Sequence, residues 1–165
     1  MIKKTFVTIN SGLSTAVIFL VLALDIYVKR LVLENADLMP LYVFSFFGKI
    51  DLWIDLVFNQ GAAWGSFAAY HLPLFIIRLG IVSVVVYLFF KVSDDAKRLA
   101  YALVIAGAFG NLYDTIIHHK VIDMIHFVFF GKSFGIFNIA DASIFLGLIL
   151  LIFSKKPNTH SQYAP

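Results

Sequence analysis

The sequence predicts an all-α membrane protein with four transmembrane helices and a small β element on one side. Three observations carry that expectation. Of the 165 residues 61% are hydrophobic, 18 are Phe, and the mean hydropathy is +0.89, well outside the range of a water-soluble domain. The apolar residues gather into four runs, each long enough to cross a bilayer core, which takes about 20 residues of helix. The formal charge of +3 is small, and the basic residues sit in short clusters beside those runs, where they orient a chain in a membrane and form no nucleic-acid surface. The chain has no cysteine, which excludes disulfides, thiolate nucleophiles and thiolate metal ligands.

Positions 1–156 read as one domain. Lys3 and Lys4 before an apolar run resemble the start of a secretory leader. The run is longer than a leader core and meets Asp25 and Lys29 with no small-residue cleavage pattern, so it reads as a retained first span, about 11–31. The other spans fall at about 72–90, 99–117 and 136–153. An even number of spans puts both termini on one side. Lys3, Lys4, Lys91, Lys97, Arg98, Lys155 and Lys156 all fall there, which marks that side as cytoplasmic, although Arg30, Lys49 and Lys120 on the far side dilute the contrast. Residues 157–165 read as a polar cytoplasmic tail.

Between the first two spans, 41–47 and 50–58 are rich in aromatic and β-branched residues around Gly48-Lys49, which predicts a hairpin. Alternation would put Asp51, Trp53, Asp55 and Val57 on one face of the second strand, and Leu52, Ile54, Leu56 and Phe58 on the other. Residues 65–71, with Trp64, Phe67 and Tyr70, predict a short interfacial element held by aromatics.

The topology gathers the polar residues at one membrane face. Asp25 and Lys29 end the first span and can pair across one helical turn; Asn111 and Asp114 end the third; Asn138 and Asp141 open the fourth. Intramembrane polar groups are costly and ask for a reason. Asp114, Asp123 and Asp141 offer pairs for aspartyl acid/base chemistry, in which two close carboxyls share a proton. The bland alternative is that each Asp caps a helix end, which bears most on Asp141. For Asn59-Gln60-Gly61-Ala62-Ala63 the alternatives are close packing and approach to an extended peptide. His118, His119 and His126 raise a zinc site, but adjacent histidines point apart and no H-E-x-x-H pattern occurs, so no metal is expected. A Ser or Thr nucleophile lacks a partner set. Arg78, about two turns into the second span, either snorkels outward or faces a polar cavity.

Four blocks resemble the lipoprotein signal peptidases, or signal peptidase II: Asp25-Ile26-Tyr27-Val28-Lys29; Asn59 to Gly65; Gly107 to Asp114 followed by Val121-Ile122-Asp123; and Phe137-Asn138-Ile139-Ala140-Asp141. The resemblance spans nearly the whole chain. It implies a four-helix peptidase of the bacterial inner membrane, with a periplasmic β-cradle and a short interfacial helix. The implied reaction is aspartyl cleavage of the signal peptide from prolipoproteins whose cysteine carries diacylglyceryl. It places the catalytic dyad on Asp123 and Asp141, with Asn111, Asp114, Asn138, Asp25, Lys29, Asn59 and Gly61 as supporting or substrate-binding residues. Thr115 stands where the family usually has Arg, Ile26 where Gln is common and Trp64 where Phe is usual, and Asp114 is the alternative catalyst. The implied enzyme uses no cofactor and no nucleic acid, works as a monomer, and meets lipidated prolipoprotein within membrane lipid. A transporter relaying ions would instead spread polar residues through several depths, and a purely structural protein leaves the clustered Asp and Asn unexplained.

Overall fold

The computed structural model describes residues 11–59 and 71–154. It contains four helices, α1 (Ser11–Glu34), α2 (His71–Lys91), α3 (Asp95–His118) and α4 (Ile139–Phe153). One antiparallel sheet is formed by β1 (Leu41–Phe46), β2 (Ile50–Asn59), β3 (Val121–Phe129) and β4 (Lys132–Phe137), paired in chain order. Lys3, Lys4, Gly61, the expected interfacial helix up to Tyr70 and the polar tail lie outside the described residues.

The expected hairpin is there, but a second one, β3–β4, extends it into a four-stranded sheet. Its source is the connection between α3 and α4, a run of Val, Ile and Phe broken at Phe130-Gly131, both in left-handed conformations. This corrects the start of the fourth span. Ile136 and Phe137 pair with His126 and Ile125, so the helix begins at Ile139 and not at 136. The expected face of β2 is corrected too. A bulge between Ile54 and Val57 shifts the register against β3, so Val57 faces Asp123 and Asn59 faces Val121, while Trp53 remains opposite His126. One extra residue reverses which side chains share a face, and Val57 therefore leaves the face of Asp51 and Trp53.

Helix α3 packs against α1, α2 and α4. Asp94 starts it, its carboxylate accepting from Lys97 N at 2.8 Å, and His119 ends it in a left-handed conformation that turns the chain into β3. Small residues let its neighbours approach. A Cβ on Gly107 would run into the Ala140 carbonyl, and one on Gly110 would lie 2.6 Å from Asp25 Oδ2 and 3.2 Å from Ala140 Cβ. Among the described residues α3 alone is long and apolar enough to cross a membrane by length and composition, and α4 is a shorter apolar helix. Large apolar side chains nonetheless point away from the protein on the other helices, including Phe19 at 66% exposed, Phe90 at 78% and Phe153 at 80%.

Candidate active site

At the ends of α1, α3 and α4 the chain buries charge. Lys29 comes off α1 one turn after Asp25, and the spacing produces the expected ion pair, Nζ to Oδ2 at 2.6 Å. The same ammonium lies 2.7 Å from Asp114 Oδ2 and donates to Asn111 Oδ1 at 3.3 Å, one helical turn earlier on α3. All three charged side chains are at most 2% exposed. Backbone donors complete the cluster. Ala140 N donates to Asp25 Oδ1 at 2.8 Å, and Ile122 N donates to Asp114 Oδ2 at 3.1 Å. Asp114 Oδ2 thus meets both a cation and a backbone donor although Thr115 follows it.

A second layer of amides lies against this cluster. Asn138 is the N-cap of α4, its Oδ1 accepting from Asp141 N at 2.8 Å, so the capping role expected for Asp141 falls to Asn138. The Asn138 Nδ2 donates to Asp123 Oδ1 at 2.7 Å and to Asn111 Oδ1 and Ile122 O, both at 3.2 Å. Asn111 Nδ2 donates to Asp141 Oδ1 at 2.7 Å. From the sheet, the bulge in β2 turns Asn59 toward Asp123, and its Nδ2 donates to Asp123 Oδ2 at 3.0 Å. Asp123 and Asp141 therefore hang from one amide framework tied to Lys29. Burial pushes the Asp123 carboxyl up to about 6; the Asn59 hydrogen bond opposes the rise, and the neighbouring Asp141 charge adds to it.

A cavity of about 250 Å³ opens beside Asp141, lined by Asn59, Arg78, Asn111, Val121 and Ile144 among others. Of the two readings of Arg78, the structure has the cavity-facing one, with Nη1 3.4 Å from Thr115 Oγ1. Every expected site residue within the described segments except the histidines joins the ion cluster or its amide framework, and of these Asn59, Asn111 and Asp141 line the cavity. His126 lies on the opposite face of β3 from Asp123, with Nδ1 3.2 Å from Asp55 and Nε2 2.8 Å from Ser133. Among the described residues no three His, Cys, Asp or Glu side chains are grouped as a metal would need. Sequence reasoning missed the backbone donors of Ala140 and Ile122, which no side-chain pattern announces.

The fold and site define a four-helix protein with a small sheet that holds two carboxyls in one amide framework, one of them, Asp141, at an open cavity. Comparison with known proteins narrows that class. The family model described as signal peptidase (SPase) II matches residues 17–155. The lipoprotein signal peptidase of Chlamydia muridarum is 38% identical over 153 residues, covering 84% of this chain and 90% of the relative. That of Bacillus pumilus is 36% identical, covering 81% and 85%. A bacterial membrane enzyme solved by the in meso method at 1.9 Å superposes with a TM-score of 0.71 at 33% identity, covering 92% of this chain and 95% of the other. The chain belongs to the signal peptidase II family.

Proposed function

We propose that this chain is an aspartyl endopeptidase that removes the signal peptide from diacylglyceryl-modified prolipoproteins, with Asp123 and Asp141 as its dyad. Signal-peptide removal from prolipoproteins is the activity of the family. The single observation supporting the dyad is the shared framework, in which Asn138 holds the Asp123 carboxyl and the Asp141 backbone while Asn111 holds the Asp141 carboxyl. Asp123, raised by burial, carries the proton. Asp141, facing the cavity, takes a proton from water as the water oxygen bonds to the scissile carbonyl carbon. Asp123 passes its proton to the carbonyl oxygen, giving a gem-diol. Asp141 then delivers the proton it took from water to the leaving nitrogen while Asp123 takes back a hydroxyl proton, and the carbon–nitrogen bond breaks with both carboxyls returned to their starting forms. Asp114 braces Lys29 and the turn at Ile122.

The four helices cross the bacterial inner membrane with both termini cytoplasmic, and the sheet forms a cradle at the periplasmic surface. The apolar side chains exposed on α1, α2 and α4 support this reading, since in lipid that surface is buried. The enzyme acts as a monomer, and the substrate's acyl chains stay in lipid while its peptide enters the cavity. The Asp123→Asn and Asp141→Asn variants, assayed on a lipidated prolipoprotein, are expected to lose activity by about 10²- to 10⁴-fold. Substantial cleavage by either overturns the dyad.

A further inference from the structure

We infer that Arg78 is a substrate-binding residue, whose guanidinium hydrogen-bonds a carbonyl oxygen of the substrate beside Asp141. The inference rests on the peptidase reading above for the nature of the substrate. Arg78 is the one charged residue between Leu72 and Phe90. A cation in such a segment is costly unless it is paired or faces water, and Arg78 is half-buried at the cavity with no carboxylate within ion-pair distance among the described residues. Thr115 Oγ1 gives its own proton to the Asn111 carbonyl at 2.8 Å and so can only accept from Arg78, at the long distance of 3.4 Å. A guanidinium carries five N–H donors, and among the described residues most of those of Arg78 are uncommitted.

The cavity indicates what those donors would take. Asn59, Asn111 and Asp141 bring polar atoms to it, and Ile81, Val82 and Ile144 make much of the rest apolar. An anionic ligand would share the cavity with the acidic side chain of Asp141, whereas a neutral acceptor suits both the cation and the apolar lining. A carbonyl oxygen is that acceptor. A lipidated prolipoprotein offers it in two places, the peptide backbone around the scissile bond and the acyl esters of the diacylglyceryl group.

The test uses the full-length protein in lipid nanodiscs and a synthetic prolipoprotein peptide whose cysteine carries either diester or diether lipid, the latter lacking ester carbonyls. Arg78→Gln is expected to raise KM by about 10- to 100-fold with kcat within about threefold, and Arg78→Lys to recover part of the loss. An equal loss on both lipids places the contact on the peptide. If the ester is the target, unaltered enzyme prefers diester over diether and Arg78→Gln abolishes the preference. Unchanged KM on both substrates, or a fall in kcat alone, overturns the inference. Direct binding of the same peptides in an Asp123→Asn background separates the two readings. Weakened binding on adding Arg78→Gln supports the role of Arg78 even if the dyad assignment fails, and unaltered binding refutes it even if the dyad assignment holds.

Discussion

Lys29 stands 2.6 Å from Asp25 and 2.7 Å from Asp114, and neither carboxylate has another cation within ion-pair reach among the described residues. Removing the ammonium while keeping the carboxylates leaves buried charge uncompensated, which costs about 3–5 kcal/mol. Lys29→Met should therefore lower the thermal unfolding midpoint in detergent sharply, and adding Asp25→Asn and Asp114→Asn should restore part of it. No change in the single variant would mean that the cluster contributes nothing to stability. Asp123 gives a pH prediction. Its carboxyl is raised from 3.8 to about 6, so folding favours its protonated form. That contribution to stability is full below about 3.8 and is lost as pH rises through about 6. With Asp123 as the proton carrier, kcat/KM of the free enzyme should fall over the same upper range. Asn59 stabilises the carboxylate form, so Asn59→Leu should move the fall to higher pH in a pH–rate profile. At this scale the sequence was informative where side chains sit at helical spacing: Asp25 pairs with Lys29, and Asn111 and Asp114, on one side of a turn, both meet that ammonium. It was silent on Ala140 N and Ile122 N, because every residue but proline carries that donor.

Among the elements, α3 acts through the side chains it lacks. Gly110 lies against both Asp25 Oδ2 and Ala140 Cβ, so Gly110→Ala pushes α1 and α4 apart at the point where the ion cluster forms. The expected cost is about 1–3 kcal/mol, with loss of activity exceeding the loss of folded protein when the two are measured on one preparation. Gly80, where a Cβ would meet nothing within 4 Å, is the control, and Gly80→Ala should leave the midpoint and activity nearly unchanged. The helices were legible because their apolar runs are long, and β1 and β2 because aromatic and β-branched residues flank a Gly-Lys turn. The β3–β4 hairpin was harder to read. Its residues are as apolar as a span, and Ile136-Phe137 merges with the run that follows. The bulge in β2 leaves no compositional trace, so alternation misassigned Val57 and gave no reason for Asn59 to meet Asp123.

For the whole molecule, the orientation across the membrane makes a prediction that single cysteines can test, since the chain has none of its own. Phe47 is 94% exposed at the β1–β2 turn, and Ser93 is exposed between α2 and α3. With the sheet outside, an impermeant maleimide should label Phe47→Cys in intact spheroplasts and Ser93→Cys only after inversion of the membrane. Labelling of both from one side would refute the four-span topology. The general arrangement, polar residues at one end of an apolar bundle, was legible from span counting. The cavity was not, because Arg78, Asn59 and Asp141 come from segments far apart in the chain and meet only in three dimensions.

Asn138 closes the amide framework and Asp141 follows it in the first turn of α4, the last described helix. A ribosome that has translated as far as Phe137 has supplied Lys29, Asn59, Asp114 and Asp123, with the Asn59 amide for Asp123 Oδ2, but neither Asn138 nor Asp141. On the proposed dyad, the chain order therefore works as a timer: the unfinished protein holds its braces and one carboxyl in waiting, and peptide-cutting capacity arrives only with α4.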